Sequence, residues 1–148
     1  MSISQAMCTL FKKDLLLGDH HLDTDDIRIA LYTSSASLGA TTDGYTTSNE
    51  ITNASGSAYT AGGLQLTSVA VTEDSTSGVF DAADPEWTSA SFTANGALIY
   101  NKTLGDASSN ARGAIAVLAF GGDFTVSGGT FKIVFPAPTA SNAIVRID

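Results

Sequence analysis

Cysteine, proline and positive charge are all scarce in this 148-residue chain. It has one Cys, three Pro, and 7 Lys and Arg against 15 Asp and Glu, for a formal net charge of -8. A single Cys excludes an intrachain disulfide framework and any multi-cysteine metal site. The shortage of Lys and Arg excludes the basic footprint by which nucleic-acid binders release counterions from phosphates. No apolar run approaches the ~20 residues of a membrane helix. Lys12 and Lys13 lie inside an amphipathic segment, with no signal-type apolar run after them. The expectation is therefore a soluble acidic protein made in the cytoplasm. The usual catalytic signatures are also missing: no Gly-x-Ser-x-Gly elbow, no P-loop, and no Gly-x-Gly-x-x-Gly after a strand.

What remains suits strands. Charged residues make up 15% of the chain, below the usual ~25%, and Ser and Thr together outnumber all of them. Hydroxyl-bearing residues serve strands and turns better than solvated helices. With 43% hydrophobic residues the chain has the composition and length of one globular domain.

The pattern along the chain predicts an N-terminal helix over 2–17. Ser2 and Gln5 have capping-box spacing, Ile3, Met7, Leu10 and Phe11 share one face, and Gly18 is a natural stop. Asp14 falls on that same face, which predicts a bend or an end there. A polar connector over 19–26 follows. The period then becomes two at Ile27, Ile29 and Leu31, as in a half-buried strand. Residues 34–58 are rich in Ser, Thr, Gly and Asn and read as a long loop of the kind that often serves binding or assembly.

Gly62-Gly63 predicts a turn into Leu64. A bulge at Thr67-Ser68 would reconcile the phases of Leu64/Leu66 and Val69/Val71. Short strands are expected around Val79-Phe80, Trp87–Phe92, 96–103, 113–120, Phe124–Val126 and Phe131–Phe135. A hairpin loop is expected at Gly105–Asn110, with paired glycines at 121–122 and 128–129 bounding the later strands. The sum is an all-β, jelly-roll-like β-sandwich of about eight strands with one N-terminal α-helix. Residues 1–148 form a single domain in this reading: helix 2–17, sandwich 26–135, and 136–148 as a C-terminal tail or edge strand.

Candidate chemistry is thin. The run Asp19-His20-His21-Leu22-Asp23-Thr24-Asp25-Asp26 has metal-ligating residue types but no calcium-loop pattern. A solvated connector is the expected role. Asp81, Asp84 and Glu86 could furnish a carboxylate pair, but a turn ahead of Trp87 is the better reading of that segment. Cys8 has no activating partner beside it in the helix. Tyr32, Tyr45, Tyr59, Tyr100 and Trp87 could form a sugar platform, but Tyr59 and Tyr100 sit beside strand residues and read better as packing with a hydroxyl partner; Tyr45 in the loop is the best exposed of them. No catalytic, cofactor or metal site is expected.

The ordered segments Leu22–Ser34, Tyr59–Leu64, Phe80–Thr88, Ala90–Ala94, Ala97–Tyr100 and Phe120–Phe131 together resemble a family of small structural proteins of tailed bacteriophages, the capsid cement or decoration proteins. The likeness spans about residues 5–136. It implies a non-enzymatic virion protein on the capsid surface, made in the host cytoplasm. It also implies a homo-oligomer (dimer or trimer) bound to the major capsid protein, with no nucleic acid, membrane or cofactor. The alternative is a tail, neck or head-fibre component with a receptor- or carbohydrate-binding role. The candidate interface residues are Ile3, Met7, Leu10 and Phe11 of the helix, Tyr45 and Ile51 of the loop, and Ile144 and Val145 of the tail.

Overall fold

A computed structural model describes residues 2–52 and 56–148. Among these, eight strands and two short helices follow the order β1 (Ala6–Met7), α1 (Thr9–Leu16), β2 (Ile27–Tyr32), β3 (Leu64–Gln65), β4 (Ala70–Asp74), β5 (Ser77–Asp81), β6 (Glu86–Asn101), α2 (Lys102–Ala107), β7 (Ala114–Lys132) and β8 (Val145–Ile147). One sheet runs β1-β7-β6-β2-β3 and the other β4-β5-β8. Every pairing between named strands is antiparallel. Phe80 and Val145 of the small sheet belong to the same buried cluster as Ile29, Leu98 and Val117 of the large one. The two sheets thus share one core. The all-β, two-sheet architecture with a short N-terminal helix matches the expectation from the sequence.

The helix is shorter than its periodicity suggested. Residues 2–8 are extended: Ile3 bridges Leu38, and Ala6 and Met7 pair with Val117 and Ala116. Cys8 donates its amide to Ile115 at 2.9 Å, and Thr9 donates to Ala40 at 2.8 Å. The edge of β7 and the 38–40 segment satisfy these backbone groups with long-range bonds, so the capping box of Ser2 and Gln5 never forms. The Gln5 side chain accepts from the Ala119 amide instead. Asp14 is buried, and Arg112 holds its carboxylate at 3.2 Å. An acid on the apolar face is therefore kept within the helix by a long-range cation.

β2 is a central strand rather than a half-buried one. Ala30 and Tyr32 are as fully buried as Ile29 and Leu31, because β6 and β3 flank the strand and layers cover both of its faces. The predicted bulge at Thr67-Ser68 is instead a change of sheet: β3 belongs to the large sheet and β4 to the small one. Ser68 makes the corner with φ +51°.

The largest departure is the β6–β7 hairpin. The sequence suggested several short strands separated by glycine turns, but 86–101 and 114–132 are two long strands paired along most of their length. Gly121 and Gly128 have positive φ within β7. The pairing shifts register at four places between Trp87 and Tyr100. Such irregularities bend and twist a ribbon without ending it. The expected loop at 105–110 is partly helix α2, whose first turn is capped by Asn101 Oδ1 accepting from the Leu104 amide at 3.1 Å. The C-terminal stretch supplies β8, an edge strand beside β5.

Candidate functional site

One half of the β6–β7 ribbon is interior and the other half is a surface. Ala97–Tyr100 and Ala114–Val117 are buried. Further along β7, Phe120, Val126 and Phe131 are half-buried, and Phe124 is 54% exposed. Cross-strand pairing puts Phe92 opposite Val126 and Trp87 opposite Phe131. The aromatic rings interlock: Phe92 to Phe131 at 5.1 Å, Trp87 to Phe131 at 6.0 Å, and Phe120 to both Phe124 and Phe131 at 6.1 Å. Tyr59 closes the inner end against Trp87 and Phe92. Edge-to-face and tilted contacts of this kind hold aromatic side chains in fixed orientations.

Phe120, Phe124, Val126 and Phe131 line an open concavity of about 400 Å³, with Thr125 and Lys132 on its margin. A second hollow of about 270 Å³ adjoins it through Phe120 and Ile133 and includes Leu118, Phe135 and Ile144. Val134, 74% exposed, stands at its rim. Among the described residues Lys132 is the one charged side chain lining either hollow. An ordered aromatic surface backed by the main core is suited to docking an apolar partner surface.

Of the eight candidate interface residues, Phe11, Ile51 and Val145 lie in the core. Ile3, Met7 and Leu10 are half-buried along the N-terminal segment. Tyr45 is not an exposed aromatic: its ring stacks on Tyr100 at 4.8 Å and its hydroxyl donates to Glu50 at 2.6 Å. Ile144 alone lines part of the groove. The phenylalanines of β7 that line the first hollow, Phe120, Phe124 and Phe131, are not among those eight. Their available signal was the repeated Phe within a Gly- and Thr-rich stretch, which equally describes a buried strand edge.

The loop over 34–58 is stitched down where it is described; Asn53, Ala54 and Ser55 lie outside the described residues. Ile51 donates to the Leu31 carbonyl, Thr33 donates to Asn49, and the Tyr32 hydroxyl donates to Thr46 at 2.7 Å. Buried Glu50 accepts from the Tyr45 and Tyr59 hydroxyls at 2.6 Å each and from the Gly62 amide at 2.7 Å. Burial, followed by the bond to Glu50, pushes ionisation of both tyrosines well above the ordinary phenol range. Tyr32, Tyr59, Tyr100 and Trp87 are buried as well, so the proposed sugar platform does not exist on this surface.

The 19–26 connector folds inward at one point. His20 is buried with its ring edge-on to Phe11 at 4.8 Å. Asn101 Nδ2 lies 3.2 Å from His20 Nδ1 and donates to Asp25 at 2.7 Å. Asp25 also accepts from the His21 amide at 2.9 Å. Arg112 spans Asp14 and Asp19. Among the described residues no group of three or more His, Cys, Asp or Glu is placed to hold a metal ion. Asp84 accepts from the Phe135 amide, fastening the segment after β7, while Glu86 stands opposite Lys132 at the start of β6.

No family model, curated protein or solved structure matches the chain. Among the described residues no helix is long and apolar enough to cross a membrane.

Cys8 is fully buried. Burial, reinforced by Asp43 and opposed by Lys12, pushes its thiol up to about 11. Alkylation by iodoacetamide at pH 8 is expected to run at least about 100-fold slower in the folded chain than in urea, because both access and thiolate are lacking. Equal rates in the two conditions would contradict this placement.

Proposed function

We propose that this chain is a bacteriophage virion structural protein that binds the outer capsid shell and stabilises it as a cement or decoration protein. The observation that carries the reading is the aromatic groove of β7, an apolar docking surface mounted on a braced ribbon. The segment that lines most of it, Phe120–Phe131, is also one of the segments that resemble the phage family. Cementing requires a rigid body that buries apolar surface on a neighbour, and symmetric repetition multiplies modest contacts by avidity. The partner is the major capsid protein, engaged by a dimer or trimer of this chain. The excess of acid over base favours a basic patch on the shell around the groove. The protein acts by binding and not by catalysis.

The test is reconstitution on capsids stripped of the protein, with occupancy read by cryo-EM and affinity by sedimentation. Phe124→Ser removes an exposed anchor without opening the core. It is expected to weaken shell binding by about 30-fold, the ~2 kcal/mol typical of an aromatic hot spot, with little change in melting temperature. Wild-type protein that fails to decorate heads, or that is found only at the tail or neck, overturns the capsid reading.

A further inference from the structure

Asn101 settles which protons surround His20. Its Oδ1 accepts from the Leu104 amide and its Nδ2 donates to the Asp25 carboxylate. These two contacts orient the carboxamide, so an N–H also points at His20 Nδ1 from 3.2 Å. His20 Nδ1 must therefore be the lone-pair nitrogen, and the ring proton sits on Nε2. Nε2 is buried and has no hydrogen-bond partner among the described residues. The neutral ring fits this environment, and a cationic ring does not: a second proton has to enter at Nδ1, where it would face the N–H of Asn101.

We propose that the His20–Asn101 contact is an acid-sensitive latch, in which protonation of His20 by solvent releases the 19–26 connector from β6 and uncaps α2. Turning the Asn101 carboxamide over does not relieve the conflict. It would aim Oδ1 at the Asp25 carboxylate and Nδ2 at the Leu104 amide, exchanging one clash for two. The imidazolium can escape the donor–donor contact only by moving, and moving it draws the connector away.

The charged groups around the ring come from three places: Asp14 on α1, Asp19 and Asp25 on the connector, and Arg112 ahead of β7. Burial dominates and lowers the affinity of His20 for a proton. Asp14, Asp25 and Asp19 oppose this, and Arg112 adds to it. The sign follows. Above about 6.5, the ordinary value, His20 is neutral whether the latch is closed or open. As pH falls below that value, the open form takes up a proton that the closed form refuses. Closure is then lost by up to about tenfold per pH unit, until the lowered value of the closed form is passed.

The experiment is NMR on the full-length chain between pH 7.5 and 4.5, combining imidazole ¹⁵N shifts with amide hydrogen exchange corrected for its intrinsic pH dependence. The expected result has His20 in the Nε2–H form at pH 7.5 and titrating below 6.5. Protection of the Leu104 and His21 amides then falls toward tenfold per unit, while the Ile99 and Val117 amides keep theirs. His20→Gln, which keeps a neutral acceptor for Asn101, should flatten that response; His21→Gln should leave it intact. The proposal is overturned by an Nδ1–H tautomer, by titration of His20 at or above 6.5, or by uniform loss of protection across the core. An unchanged acid response in His20→Gln also overturns it. If His20→Gln does not fold, the wild-type tautomer and exchange profile decide the matter.

Discussion

Gly63→Ala is expected to cost about 4 kcal/mol or more, a large share of a total stability of the order of 5–15 kcal/mol. Two effects add. Gly63 has φ +76°, where an L-residue pays roughly 1–2 kcal/mol. An added Cβ would also overlap the Ile29 carbonyl and lie 2.8 Å from the Ala30 Cα. Those atoms belong to β2, held between β6 and β3, and cannot retreat without breaking the ladder. The turn itself cannot swing away: the Gly63 amide donates to Thr60, the Gly62 amide to Glu50, and the Gly62 carbonyl accepts from the Tyr100 hydroxyl. Gly62→Ala is the internal comparison. Its φ is +92°, but its Cβ would meet only the Tyr100 hydroxyl, at 3.3 Å, so the backbone penalty of about 1–2 kcal/mol should dominate. Urea denaturation of the two variants checks the ranking. Equal losses would mean that close approach to β2 is not what Gly63 provides.

The second large effect belongs to Glu50. Its carboxylate collects three donors, the two tyrosine hydroxyls and the Gly62 amide. No ion pair accompanies it among the described residues. Hydrogen bonds to a charged acceptor contribute roughly 1.5–3 kcal/mol each, and the carboxylate's own desolvation offsets part of their sum. Glu50→Ala leaves three donors without their acceptor and is expected to cost about 3–4 kcal/mol. Glu50→Gln keeps one carbonyl oxygen for Tyr59 and Gly62, and its amide can donate to the Tyr45 hydroxyl. The expected loss is then about 1–2 kcal/mol. Denaturant midpoints give both values. Hydrogen exchange at the Ile51 and Thr33 amides should rise first, because Glu50 pins the segment that those amides stitch to β2. A Glu50→Ala protein as stable as wild type would show that the loop is anchored by its apolar residues alone.

Several features of this protein follow from local sequence. Alternation of Ile27, Ile29 and Leu31 specifies a strand, because a period of two places those side chains on one face. Gly62-Gly63 specifies a tight turn. A single cysteine leaves the fold without an intrachain disulfide. The apolar runs at 96–103 and 113–120 mark strands of the main ladder, buried over Ala97–Tyr100 and Ala114–Val117 and half-buried from Leu118 to Phe120.

The remaining choices were made by contacts that local pattern does not encode. Residues 2–8 carry a helical pattern yet are extended, with Ala6–Met7 an edge strand because β7 offers unpaired backbone groups more than a hundred residues away, and Ile3 bridging Leu38. The glycines at 121 and 128 are turn residues in isolation and bulges within a strand here, because β6 supplies a partner on both sides of each irregularity. His20 falls in a segment read as a solvated connector, and Asp14 and Glu50 are acids; all three are buried because Asn101, Arg112 and two tyrosines reach them from other segments. The aromatic hollow on β7 belongs to this second group. The phenylalanines of β7 are common strand residues by sequence, and only the tertiary packing leaves Phe124 exposed against Phe120 while Phe92 and Trp87 pack on Phe131. Periodicity is a property of neighbours along the chain, whereas a free edge, a buried charge and an uncovered face are properties of what lies across from them.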